Sequence, residues 1–308
     1  MNKPTTIKDQ LIVFTKGIAM GTANVIPGIS GGTIALITGV FERLINALKS
    51  FDVQAIKLLF GGHFKKFAQH VDFFFLVSLF LGVGVAIISF ARFFEFILDK
   101  YPIYIWAYFF GLVLASAFFI GKTVKKRSIG IVSLFIAGIA IAVFISLTTP
   151  GTQNDSFFYL LICGIVVMCS MLLPGLSGSF MLILMGNFQL LMEAVNQWRF
   201  EILIPFLAGA VVGLIAFSHF LAWLLKRFPD ATIALLTGFI IGSLGILWPW
   251  KTEITQLFGE AERVVGYEWF LPQMNVEFVV AVFWCLLGMG TILGVEWLSK
   301  RVGKGSKN

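Results

Sequence analysis

Residues 21–45 read GTANVIPGISGGTIALITGVFERLI, and the PGISGGT at Pro27 to Thr33 within them returns as PGLSGSF at Pro174 to Phe180. Each copy interrupts a long apolar stretch with a helix breaker, glycines and a serine. Unpaired backbone in lipid costs several kcal/mol per group, so irregular chain at membrane depth persists only where it lines a cavity or is buried in protein. Two interruptions at corresponding points of two halves are the sequence mark of a binding site near the bilayer midplane. Small residues also let transmembrane helices approach closely. Two copies in register, each flanked by further polar groups (Thr22 and Asn24; Ser170), favour a site over simple helix contact.

The correspondence extends outward from the motif. Pro27, Ser30 and Gly39 align with Pro174, Ser177 and Gly186 at an offset of 147. Further on, the offset becomes 127 and matches Gly82, Phe90, Arg92, Pro102, Gly111 and Ser116 to Gly209, Phe217, His219, Pro229, Gly238 and Ser243. A longer connector near 49–71 accounts for the change. Its stretch 52–67 reads as a basic amphipathic segment on the inner leaflet. The chain is thus expected to be one all-α polytopic membrane domain over 1–308, with repeats at 9–148 and 156–300. Each repeat would hold a PG-broken, re-entrant helical hairpin and three transmembrane helices. A hairpin crosses the bilayer an even number of times, so three further crossings invert the second half.

Composition agrees. Of 308 residues, 58% are hydrophobic and 13% charged, with a mean hydropathy of +0.92; a soluble domain carries about 25% charged residues. Segments near 72–98, 102–121, 128–148, 202–226, 231–248 and 275–298 are long enough to cross ~30 Å of hydrocarbon. The polar start MNKPTTIKDQ shows no signal peptide. With both termini cytoplasmic, the inner side collects Lys3, Lys8, Lys16, Lys49, Lys57, Lys65, Lys66, Lys122, Lys125, Lys126, Arg127, Lys226, Arg227, Lys300, Arg301, Lys304 and Lys307, while the outer side holds Lys100, Arg199, Lys251 and Arg263. The net charge of +7 therefore follows the positive-inside rule and implies no nucleic-acid partner. Cys163, Cys169 and Cys285 read as small buried hydrophobes, without metal or cofactor. Tyr104, Trp106, Trp248, Trp250 and Trp269 read as an interfacial belt.

At the first break, Pro27 and Gly28 end one helical arm, and Ser30 is a natural N-cap for the next. The amides of Gly31, Gly32 and Thr33 would form a bare first turn open to an anion. Pro174, Gly175, Ser177, Gly178 and Ser179 repeat this arrangement from the opposite side. Glu42, Arg43, Arg92 and His219 are candidates for gating or for coupling to protons or sodium.

The 25-residue stretch resembles the bacterial polyprenyl-phosphate transporter family, with Phe41 where the family often has tyrosine. The resemblance implies a multi-pass carrier of the bacterial inner membrane. Such a carrier returns undecaprenyl phosphate to the cytoplasmic leaflet for cell-wall peptidoglycan synthesis. It also implies a site built from Asn24, Pro27, Gly28, Ser30, Gly31, Gly32, Thr33 and Glu42, with Ser177, Gly178 and Ser179. The first alternative is an undecaprenyl-pyrophosphate phosphatase-like enzyme, whose PGxSRSG motif carries an arginine where Gly31 and Gly178 stand here. The second is an organic-anion or ion-coupled carrier. Oligomeric state is not encoded in any motif.

Overall fold

A computed structural model describes residues 7–25, 31–126, 128–148, 150–258 and 261–305. The first half contains α1 (Ile7–Val25), α2 (Gly31–Ile37), α3 (Phe41–Lys49), α4 (Val53–Phe60), α5 (Phe64–His70), α6 (Phe73–Lys100), α7 (Pro102–Thr123) and α8 (Ile129–Leu147). The second contains α9 (Phe157–Leu172), α10 (Gly178–Leu184), α11 (Phe188–Asn196), α12 (Phe200–Arg227), α13 (Pro229–Gly242) and α14 (Val276–Gly305). A 3₁₀ turn, Ser243–Leu247, and strands β1 (Lys251–Phe258) and β2 (Ala261–Trp269) lie between α13 and α14.

Among the described residues, six helices are long and apolar enough to cross a membrane: α6, α7, α8, α12, α13 with its 3₁₀ extension, and α14. They match the six segments expected from hydropathy. Pro102 and Pro229 each start a helix at its first position, where the missing N–H is no loss. The broken hairpins are different. At seven residues each, α2 and α10 rise only ~10 Å, a third of the hydrocarbon thickness. A glycine at positive φ then turns the chain in both halves, Gly39 at 71° and Gly186 at 74°. Beyond Gly186, α11 leaves α10 at an angle of 111°.

The helices associate in pairs: α1 with α6, α9 with α12, α7 with α14, and α8 with α13. Glycines bring the backbones into contact. Gly17 sits on the Leu79 carbonyl, and Gly164 sits on the Phe206 carbonyl. Gly111 meets the Cys285 carbonyl as Gly238 meets that of Phe135. Gly164 and Phe206 follow from Gly17 and Leu79 by the offsets of 147 and 127, and Gly238 follows from Gly111 by 127, so glycine crossings recur at corresponding positions of the two halves. The main core runs through both breaks: Ile34, Ala35, Phe41 and Ile45 join Leu172, Leu176, Leu236, Phe239 and Ile240. Phe41 is 2% exposed, a core position with no need of a hydroxyl.

Two local expectations are corrected and a third is refined. The 52–67 stretch is two short helices, α4 and α5, separated at Gly62 with φ 73°. Phe60 and Phe64 project at the break, consistent with a surface-lying segment. Trp106 and Trp250 are buried rather than belted, because Trp250 packs on Ala107, Ala281, Trp248 and Phe278. The 251–269 loop is an antiparallel hairpin pairing Lys251 with Trp269, with an irregularity at Ile254/Thr255. It is anchored by Trp269 Nε1 donating to the Gly245 carbonyl at 2.7 Å and Trp248 Nε1 donating to the Phe270 carbonyl at 3.1 Å.

Lys251 fastens this hairpin to α7. Its ammonium lies 3.5 Å from the Trp106 ring centroid and 4.7 Å from that of Tyr267, and donates to the Ile246 carbonyl. Burial pushes its pKa down to about 7 against the opposing pull of Glu253. A depressed lysine means the docked state binds fewer protons than the released one. The cost of docking is therefore full below pH 7 and is relieved as pH rises toward the free value of 10.5. Amide exchange in β1 and β2, corrected for intrinsic rates, should slow between about pH 7 and pH 10, and Lys251→Met should flatten that dependence.

Candidate functional site

The first break is entered by α1 and left by α2. Asn24, exposed in the last turn of α1, accepts the Gly31 N–H on Oδ1 at 2.8 Å. That bond commits the oxygen to the chain, so the two Nδ2 protons are what Asn24 offers to anything outside. A Cβ at Gly31 would come within 2.6 Å of Asn24 Oδ1 and 2.8 Å of Nδ2. Glycine here makes room for Asn24 rather than leaving the turn bare. Gly32 follows in the same first turn. Pro27, Gly28 and Ser30 lie outside the described residues.

Thr33 connects the two motifs. It is 2% exposed, and its Oγ1 accepts the Gly175 N–H at 3.0 Å across 142 residues of chain. Gly175 has φ 87°, and a Cβ there would stand 2.8 Å from the Phe239 carbonyl oxygen. Only glycine suits both the conformation and the space. Pro174 is buried beside it.

The second break presents hydroxyls. Ser177 has extended backbone and N-caps α10, accepting the Phe180 N–H at 3.5 Å. Its Oγ also lies 3.0 Å from the Ser179 Oγ, and Ser179 is exposed. Gly178 packs against the Met171 side chain and the Val167 carbonyl, so its open face too is taken by the chain. Ser170 turns back on its own helix, donating to the Val167 carbonyl at 2.8 Å. With α2 and α10 each about two turns long, neither break carries the field of a long helix.

The four charged candidates differ in their surroundings. Arg43 makes a forked pair with Asp72, Nε to Oδ2 at 2.7 Å and Nη2 to Oδ1 at 3.0 Å, and lies 4.2 Å over the Phe75 ring. That joins α3 to the start of α6, a structural role. Glu42 is exposed in the first turn of α3. His219 donates from Nδ1 to the Ile215 carbonyl at 2.9 Å on its own helix. Arg92 belongs to α6, and its side chain lies outside what is described.

Other residues matter that sequence patterns did not single out. The carbonyl ending each short helix is capped: Thr38 O by Lys16 Nζ at 2.7 Å, and Met185 O, its counterpart, by the Tyr159 hydroxyl at 2.8 Å. Lys16 is therefore an internal cap, not an inner-loop charge. Asn187, 1% exposed, exchanges two bonds with the Asn154 backbone at 2.9 and 2.7 Å, pinning the 150–156 connector to the second hairpin. A long separation in sequence hides such pairs.

Beside the first break lies an apolar cavity of about 460 Å³, bounded by α1, α2, α6, α7 and α14. Thr22, Ala23 and Ile34 form its end nearest the motif.

Residues 20–264 match the model of a family described as undecaprenyl phosphate translocase-like. The chain is similar to a polyprenyl-phosphate transporter of Vibrio cholerae serotype O1, 37% identical over 93% of this chain and 96% of that one. It is also similar to a polyprenyl-phosphate transporter of Staphylococcus aureus, 29% identical over 76% of this chain and 84% of that one. No solved structure matches. A family match that runs through both PG breaks, joined to a relative covering nearly the whole chain, places this multi-pass membrane protein in the undecaprenyl phosphate translocase-like family.

Proposed function

We propose that the chain is a translocase for undecaprenyl phosphate in the bacterial inner membrane, returning the lipid carrier to the cytoplasmic leaflet with both termini on that side. The observation that carries this reading is the Thr33–Gly175 bond, which brings the two interrupted segments into one place. Two inverted halves are part of the proposal, supported by the recurrent glycine crossings, the paired Gly39 and Gly186 turns, and the matched caps on Thr38 and Met185. The headgroup passes between Asn24 Nδ2 on one side and the Ser177 and Ser179 hydroxyls on the other. An isolated charge at the bilayer centre costs at least ~2.5–3.5 kcal/mol. Neutral donors offset that cost without a cation that would hold the phosphate too tightly to release.

Transport rather than hydrolysis is favoured by the relatives' names and by Gly31 and Gly178 standing where the phosphatase motif has arginine. Inward movement of a phosphate opposes an inside-negative potential by ~2.3 kcal/mol per charge per 100 mV. A co-transported proton or sodium ion, or a phosphate crossing partly protonated with its second pKa near about 6, relieves that opposition. In liposomes carrying labelled undecaprenyl phosphate, the protein should move lipid between leaflets and release no inorganic phosphate. An imposed pH or sodium gradient should change the inward rate or its end point. Phosphate release would make the protein an enzyme, and indifference to every gradient would make it a passive scramblase.

A further inference from the structure

The cavity beside the first break differs from an ordinary lipid-facing furrow. Ala23, Ile34 and Phe109 are buried and form its floor, while Phe93 and Ala19 stand at its exposed edge. Thr22 supplies a hydroxyl at one end, and Asn24, with its outward amide, follows two residues on. The remainder is rich in aromatic and branched side chains, and the Tyr108 hydroxyl among them is paired with Thr291 Oγ1 at 3.2 Å. A hydrophobic slot whose one polar end adjoins the anion donors matches an amphiphile with a phosphate directly on a single branched chain.

A second hollow, of about 420 Å³, lies near the other end of α6 between α3 and α12. Its lining, which includes Leu48, Phe73, Val77 and Leu214, is apolar throughout. Phe93 and Val77 are sixteen residues apart on one helix, about 24 Å at ~1.5 Å per residue. The two hollows thus lie at different depths of a bilayer ~30 Å thick. Of the two, the first alone is lined by residues of α1 and α2, the helices flanking the first break.

Resting on the proposed function, we infer that the first hollow seats the phosphate-proximal isoprene units of the substrate, so that the protein recognises the tail as well as the headgroup. At this volume, within the ~300–1,000 Å³ of small-molecule sites, it takes a short stretch of chain and leaves the rest in lipid. Selection against two-chain glycerophospholipids follows, because the slot admits one chain next to the donors.

The test uses purified full-length protein in liposomes of phosphatidylethanolamine and phosphatidylglycerol. Phe93→p-azidophenylalanine should photo-crosslink to undecaprenyl phosphate, with excess unlabelled undecaprenyl phosphate competing and excess phosphatidylglycerol not. Ala19→Trp, at an exposed cavity position, should slow undecaprenyl phosphate transfer by about tenfold or more by displacing buried chain, and should slow geranyl phosphate comparably because it carries the same phosphate-proximal units. Val77→Trp, filling the second hollow, should leave both rates near wild type. Equal competition by phosphatidylglycerol, or equal effects of Ala19→Trp and Val77→Trp, overturns the tail seat while leaving translocation intact. Wild-type protein that moves neither phosphate overturns the translocase reading itself, and the crosslink competition still reports on the seat.

Discussion

Replacing Asn24 with aspartate should lower undecaprenyl phosphate transfer by about two orders of magnitude while leaving the fold in place. The substitution separates two roles. As a structural acceptor, residue 24 holds the Gly31 N–H at 2.8 Å, and a carboxylate accepts that bond at least as well as an amide. As a donor toward substrate, Asn24 has the two Nδ2 protons, and aspartate has none. A new negative charge ~5 Å from a phosphate at an effective dielectric of ~20 costs about 3 kcal/mol, a factor of about a hundred. Asn24→Ala removes the acceptor without adding charge and should cost about 1 kcal/mol, several-fold in rate. The order is diagnostic: aspartate worse than alanine for transport, aspartate equal to wild type or better in thermal melting. Wild-type transport by Asn24→Asp removes residue 24 from the headgroup path.

The spans and the breaks were legible because both depend on short-range pattern. A run of apolar residues flanked by prolines at 102 and 229 fixes helix ends to within a residue or two, and the PG motifs mark where helical hydrogen bonding must stop. The use of the glycines was not legible. Gly31 and Gly178 looked open because glycine has no side chain, yet Asn24 and Met171 occupy those faces. The choice between bare backbone and accommodated neighbour is made by a residue on the preceding helix. Lys16 with Thr38, Arg43 with Asp72, and Asn187 with Asn154 depend on the same kind of distant meeting. In the 251–269 hairpin, β-branched Thr252, Ile254, Thr255, Val264 and Val265 carried a strand signal, obscured by the surrounding charges that read as an outer loop.

The Thr33–Gly175 bond makes the second strong prediction. The Gly175 N–H is buried, and its acceptor is a hydroxyl from the other half of the chain. Thr33→Val keeps the shape and removes the acceptor, leaving a buried donor unmet at a cost of about 1–3 kcal/mol. Thr33→Ser keeps the acceptor, loses one methyl group and should stay close to wild type. Gly175→Ala attacks the same junction from the other side, forcing a Cβ into a φ of 87° and onto the Phe239 carbonyl; the left-handed conformation alone costs about 1–2 kcal/mol. Both variants should melt earlier than wild type and lose transport. Combined, they should be less than additive, because the first substitution already breaks what the second disturbs. The paired hydroxyls of Ser177 and Ser179 start two residues beyond Gly175, so freeing that glycine moves them relative to Asn24 and opens the gap a phosphate must bridge. If Thr33→Val melts early but transports at the wild-type rate, the bond is a brace for the fold, and the headgroup path does not depend on holding the two breaks together.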